Sequence, residues 1–186
     1  NYVMGLFNLK AQSAAVVRRL VGWGDINLLK PYIAPENLNK ALTLYRTHHK
    51  QSLVKYSYLY PSVKCLLRRL KNKGYKLAVA SNRPSKFSRI LLKHLGLGIF
   101  FDYVLCKDQV KYGKPHPAML NRITRRFGIK KAQALYVGDM AIDAQAGRRA
   151  KIKTIIVTGG SSSKPEIKKE RPFKTIPSIR CLADLF

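Results

Sequence analysis

From Pro61 onward, short apolar runs alternate with helical stretches, and this alternation limits the chain to a parallel sheet whose strands are joined by crossover helices. The spacing predicts a helix over 61–73, a strand over Lys76–Ala80, a helix over 84–95 and a strand over Tyr103–Cys106. A helix over about 116–127, a strand over 134–137, a helix running through Ala150, a strand over Ile152–Val157 and a short helix near 180–186 continue the pattern. Gly74, Gly96 and Gly128 stand just past three of these helices, where a residue free to take positive φ closes the last turn. The polar, basic segment 159–174 reads as a mobile surface loop. The expected fold class is α/β with a doubly wound parallel sheet.

Residues 1 to about 60 follow another rule. Ala14-Ala15-Val16-Val17 with Leu20, then Leu38, Leu42 and Leu44-Tyr45, give helical periodicity without a strand, broken by Gly22-Trp23-Gly24 and Pro31. This predicts a small helical unit over 1–59 beside an α/β core over 60–186.

With 46% hydrophobic residues in 186, the chain has material for a real core. Its formal charge is +27, from 36 Lys+Arg against 9 Asp+Glu, which favours phosphorylated substrates or polyanionic partners. The basic residues are spread over many segments, as in Arg68-Arg69, Arg125-Arg126 and Lys168-Lys169, and form no unbroken tail. A dedicated nucleic-acid surface therefore ranks behind a general basic bias. Cys65, Cys106 and Cys181 lack any metal-ligand or C-x-x-C spacing and read as reduced thiols. No apolar stretch is long enough to span a bilayer and no signal peptide opens the chain, so the expectation is a cytoplasmic protein without a membrane partner.

Three constellations follow predicted strands. Ala134–Gly138 ends in Asp139, with Asp143 four positions on, so both carboxylates could reach one Mg²⁺ or its waters; Asp139 could equally start the next helix. Ser81-Asn82, after Leu77–Ala80, places a hydroxyl, an amide and free N–H groups at a helix start, where phosphate oxygens bind well, though the pair also suits an ordinary helix start. In Gly113-Lys114-Pro115-His116-Pro117, two prolines and a glycine stiffen the loop that aims Lys114, which alone would pass for a surface lysine.

Taken in this order and spacing, the motifs resemble the haloacid dehalogenase superfamily of phosphohydrolases, and within it the phosphoglycolate phosphatase-like group. The resemblance covers nearly the whole chain. It implies that Ser81, with Asn82, binds the transferring phosphoryl group, that Lys114 offsets its charge, and that Asp139 and Asp143 hold Mg²⁺. Tyr60-Pro61-Ser62-Val63 resembles the family's entry into the core after a helical cap, which makes residues 1–59 the cap. Gly22-Trp23-Gly24 resembles the cap's substrate loop, which gives Trp23 a part in substrate binding; Trp23 could also be cap core.

One departure matters most. The family's first motif, D-x-D-G-T at the end of the first strand, has no counterpart, since the six aspartates, Asp25, Asp102, Asp108, Asp139, Asp143 and Asp184, include no D-x-D pair. The resemblance therefore implies a Mg²⁺-dependent phosphatase of small phosphorylated metabolites that works through an aspartyl-phosphate. In that reading the present chain is an N-terminally truncated fragment without the nucleophile or the first core strand, and is inactive alone. The alternative is a catalytically silent basic protein of this fold that binds nucleic acid or other phosphate-rich partners.

Other conspicuous residues receive plainer assignments. His48-His49 are adjacent, share no helix face and are expected at the surface. His116 is assigned to loop packing, Tyr56, Tyr58 and Tyr60 to packing between cap and core, and the stripe Phe87, Ile90, Leu91, Leu95 to the face turned toward the sheet.

Overall fold

The structure is a computed structural model that describes residues 1–186. Four helices come first: α1 (Tyr2–Leu6), α2 (Ala14–Leu20), α3 (Asp25–Leu29) and α4 (Leu38–Tyr56). The α2 start is set by Ser13, whose Oγ accepts from the Val16 N–H at 3.3 Å. These helices bury a cluster of their own, Val3, Met4, Leu29, Ile33, Ala41 and Leu42.

The alternating region folds as its pattern dictates. In chain order it runs α5 (Val63–Asn72), β1 (Ala78–Ser81), α6 (Ser85–His94), β2 (Tyr103–Cys106), α7 (Ala118–Arg126), β3 (Leu135–Gly138), α8 (Ala141–Ala150), β4 (Lys153–Val157), α9 (Lys164–Lys169) and β5 (Lys174–Ile176), then a 3₁₀ turn over Ile179–Leu185. α5 ends with the Tyr75 N–H donating to the Leu70 carbonyl while Gly74 takes φ +80°, so the predicted glycine stop acts through the expected hydrogen bond.

All strand pairs are parallel. Ala78 lies opposite Tyr103 and Ser81 opposite Cys106; Leu135 lies opposite Lys153; Ile155 lies opposite Lys174. Helices cover both faces of the longer sheet. Leu135 and Val137 of β3 pack with Leu66 and Leu70 of α5, whereas Tyr136 points the other way, toward Leu120 of α7 and Ala146 of α8.

The sheet differs from expectation in one respect: it is divided. β1–β2 form one sheet and β3–β4–β5 another. The inner edges of β1 and β3 have no strand partner, and together they line a cavity of about 760 Å³ whose walls include Val79, Ala80, Leu135 and Val137, with Leu66 and Leu120 from helices on either face. Central strands of such sheets are normally fully covered. Here β1 and β3 are only half-buried along their whole length, while Ile155 and Ile156 of β4 are 1% and 0% exposed.

Four expectations need correction. Segment 159–174 is largely structured, because Ser163 and Glu166 close a capping box that starts α9 and Lys174–Ile176 pairs onto β4. The tyrosines do not pack the cap onto the core, since Tyr56, Tyr58 and Tyr60 are 67%, 84% and 67% exposed. His48 and His49 are half-buried rather than superficial. His49 stacks on Tyr45 at 5.1 Å and meets the edge of Phe87 at 5.1 Å, so Phe87 faces α4 and not the sheet. No helix is long and apolar enough to cross a membrane.

Candidate active site

The carboxyl ends of β1 and β3 converge on the loop that holds Lys114, and Asn82 makes the first connection. Its side-chain nitrogen donates to the Lys114 carbonyl at 2.9 Å and to the Gly22 carbonyl at 2.9 Å, while its oxygen accepts from the Lys114 N–H at 2.8 Å. At 7% exposure the amide is buried and its hydrogen-bonding capacity is used. Asn82 thus ties the strand tip, the lysine loop and the cap loop together. Its side-chain donors are both engaged, so of its groups only the backbone N–H is open to phosphate oxygens. Ser81 differs. Its Oγ accepts from the Arg83 N–H at 3.1 Å, and its own O–H is left to donate.

The second connection is Lys114 Nζ, which donates to Asp143 Oδ1 at 2.7 Å and to the Tyr136 hydroxyl at 3.2 Å. An ammonium has three protons, so one remains for a ligand. The ion pair is nearly dry, with side-chain exposures of 12% for Lys114 and 4% for Asp143.

Asp143 is saturated. Its Oδ1 also accepts from the Tyr136 hydroxyl at 2.6 Å, and its Oδ2 accepts from the Asp139 and Met140 N–H groups at 3.2 and 3.1 Å. Burial pushes its carboxyl upward, but the charge and hydrogen bond of Lys114, with the Tyr136 hydroxyl, outweigh that and hold it below the usual aspartate range. The same surroundings, burial first and the Asp143 charge second, raise Tyr136 well above an ordinary phenol, so it stays a donor. Gly138 makes room for this arrangement, since a Cβ there would stand 2.3 Å from that of Asp143.

Asp139 is its opposite. It stands exposed at the crevice mouth, and no other side chain donates to its carboxylate. Crowding on its protein side, followed by repulsion from Asp143, raises its carboxyl above the usual range, with Lys114 opposing. Of the two aspartates expected to share an ion, only Asp139 offers unengaged oxygens. No group of three or more His, Cys, Asp or Glu side chains comes together anywhere in the chain. Mg²⁺ usually takes one or two carboxylates, keeps several waters and shares phosphate oxygens, so an open carboxylate beside a phosphoryl site fits it as part of a ligand set.

The cap loop lies on this turn. Gly22 and Gly24 take φ +94° and +96°, and a Cβ on Gly22 would meet the Met140 sulfur at 2.7 Å. Trp23 between them is 45% exposed, so it is not buried cap core. His116 accepts from the Ala118 N–H at 3.2 Å and lies against Tyr112, a packing role at the start of α7. Tyr136 is the site residue that the motifs do not reveal, although its place between Leu135 and Val137, directed at α8, carries the signal that a buried hydroxyl needs a partner.

A strand-tip hydroxyl on Ser81, a nearly dry ammonium on Lys114 and an open carboxylate on Asp139 lie at or beside the carboxyl ends of parallel strands, as in α/β hydrolases. The family comparison agrees: residues 1–157 match the haloacid dehalogenase-like hydrolase family, and the chain belongs to it. Among its relatives are the phosphoglycolate phosphatases of Nitrosococcus oceani, 30% identical over 95% of this chain and 82% of that protein, and of Aquifex aeolicus, 31% identical over 84% and 75%. A crystal structure described as a predicted phosphoglycolate phosphatase from Haemophilus somnus superposes with a TM-score of 0.93 at 25% identity, covering 100% of this chain and 87% of that one.

Proposed function

We propose that these residues form the phosphoryl- and metal-binding part of a Mg²⁺-dependent phosphatase of small phosphorylated metabolites, with phosphoglycolate as the leading substrate. The activity of the relatives in Nitrosococcus oceani and Aquifex aeolicus supports that substrate. The nucleophilic Asp, which would form and then release an aspartyl-phosphate, comes in this reading from a segment of the protein outside these 186 residues.

The observation that carries the reading is the divided sheet. Both inner edges present unpaired backbone N–H and C=O groups to an apolar cavity whose lining reaches Asp139; Ser81 ends β1, and Lys114 is bonded to Asp143 just after β3. One further strand in that space would pair with β1 and β3 at once and bring its last residues to the crevice.

The chain's own residues then divide the work. Ser81 donates its O–H to a phosphoryl oxygen and fixes its orientation. The remaining proton of Lys114 Nζ points at the charge that builds on those oxygens, and Asp143 with Tyr136 keeps the ammonium in place. Asp139 would hold the ion, which when bound supplies further charge neutralisation. Asn82 keeps the cap loop and the lysine loop in register, and the exposed Trp23, next to Gly22 in that loop, is the cap residue offered for substrate binding.

The test is phosphate release from phosphoglycolate by the 186-residue chain and by a protein extended with its upstream coding sequence. The extended protein is expected to require Mg²⁺ and to lose about 10²- to 10³-fold in turnover on Lys114→Ala. The chain alone is expected to show none, and turnover from it would overturn the reading. The alternative, a silent basic protein that binds nucleic acid, rests on the +27 charge, and steeply salt-dependent RNA binding by the isolated chain would favour it.

A further inference from the structure

The segment after β4 is a motif that the site as described leaves unused. Gly159-Gly160-Ser161-Ser162-Ser163 is pinned at both ends: before it the Thr158 N–H donates to the Ile176 carbonyl of β5 at 2.9 Å, and at its far end Ser163 and Glu166 close the capping box of α9. Because β4 runs parallel to β3, with Ile156 opposite Gly138, the segment leaves its strand beside the turn that carries Asp139.

The two glycines do different things. Gly159 takes φ +109°, and a Cβ on it would meet nothing within 4 Å, so it serves the turn of the chain. Gly160 has no left-handed backbone, but a Cβ on it would stand 2.2 Å from the Asp139 carbonyl oxygen and 2.6 Å from Asp139 Oδ2. It is glycine for space, and the space belongs to the Asp139 carboxylate. Both residues line the same cavity. No other side chain donates to that carboxylate, so its position depends on the turn beneath it and on the wall that Gly160 forms.

Ser162 holds the turn itself. Met140 precedes α8 with the extended backbone of an N-cap (φ −132°, ψ 159°), but its thioether is a poor acceptor. The first N–H groups are met from elsewhere: Asp143 Oδ2 accepts from Asp139 and Met140 at 3.2 and 3.1 Å, and Ser162 Oγ accepts from Ala141 at 3.0 Å. Three successive N–H groups are thus engaged, the third by a residue 21 positions away.

We infer that Gly160 and Ser162 are positioning residues for Asp139: Gly160 leaves the room that the carboxylate occupies, Ser162 fixes the turn that presents it, and together they set the affinity for the divalent ion. The inference rests on the phosphatase reading, in which Asp139 holds Mg²⁺, and adds what keeps that carboxylate aimed.

The test uses the protein extended with its upstream coding sequence and Mn²⁺ as the probe, with free ion counted by its paramagnetic resonance in the absence of substrate. Gly160→Ala drives a methyl into the Asp139 carboxylate and is expected to bind Mn²⁺ about 10- to 100-fold more weakly than the parent, the range for residues that orient a metal ligand. Ser162→Ala, which frees one N–H of the turn, should lose about fivefold, and Ser162→Thr, which keeps the hydroxyl, should stay within about twofold of the parent. Turnover of phosphoglycolate by Ser162→Ala should need more Mg²⁺ for half its maximum and return to within about twofold of the parent at saturating Mg²⁺, a recovery that a general structural defect would not show. Melting curves check the fold, and Ser162→Ala decides the case if Gly160→Ala does not fold. If Asp139→Asn binds Mn²⁺ more weakly but Gly160→Ala or Ser162→Ala binds it like the parent, the assignment of that residue is wrong while the phosphatase reading stands. If the parent binds no Mn²⁺, or Asp139→Asn binds it as the parent does, the metal part of that reading fails and this inference with it.

Discussion

The two sheets are made from similar apolar runs, yet only one of them is closed. In the β3–β4–β5 sheet the middle strand is paired on both sides and its isoleucines are dry. In the β1–β2 sheet neither strand has two neighbours, and Val79 and Ala80 line a cavity. Between the sheets the direct tie at the crevice is polar and runs through Lys114, whose backbone is held by Asn82 of the β1 side and whose ammonium is held by Asp143 of the β3 side. The difference teaches that stability and function are unevenly distributed. The β4 strand, which only supports, is dry at its centre, and the strands that end in site residues are half-buried throughout.

Breaking the tie should have the largest effect. Lys114→Met removes the partner of a carboxylate that is 4% exposed and leaves that charge buried, a loss of about 3–5 kcal/mol. Urea unfolding measures it, and a loss below about 1 kcal/mol would mean that the sheets are held together by something other than this pair. The contrast between the sheets is sharpened by two truncations. Ile155→Ala opens a hole in a filled core and should cost about 3 kcal/mol. Val79→Ala, on a strand already facing a cavity, should cost only about 1 kcal/mol. Equal losses at the two positions would show that the cavity is closed in solution.

Much of this contrast is legible in the sequence. The strand–helix alternation and the glycine stops locate β1 to β4 to within about two residues, because they depend on local periodicity and on backbone freedom at single positions. The site is legible only as a set of residue types. That Asp139 and Asp143 have opposite environments is not, since it depends on Tyr136 and on the backbone turn at 139–140, neither of which the four-residue spacing encodes. Asn82 suits a helix start and a phosphate cradle equally well, and its actual partners, Gly22 and Lys114, lie 60 and 32 residues away in sequence. Segment 159–174 passes for a loop because α9 and β5 are short and polar on their outer faces, and each is anchored by a single buried residue, Ile167 or Ile176. The split in the sheet has no local signature at all, because each strand looks the same with or without its neighbour.

The smallest expected effect concerns the β1–β2 sheet alone. Asp102, just before β2, accepts from Lys71 Nζ of α5 at 2.8 and 2.9 Å and from the Leu77 N–H at 2.8 Å, just before β1. The Lys71 hydrogen bond first, then that of Leu77, hold its carboxyl below the ordinary value of 3.8. Since the folded protein binds this proton more weakly than the unfolded chain does, the stabilisation is fully present above about pH 4 and fades as pH falls through the lower folded value. Asp102→Asn should therefore cost about 0.5–1 kcal/mol at neutral pH, a figure kept small by water around the pair, and almost nothing near pH 2. A difference from the parent that stays constant from neutral pH to pH 2 would contradict the clamp. A difference that grows with acidity would show that Asp102 is destabilising as its anion, and the β1–β2 sheet would then have no polar anchor independent of Lys114.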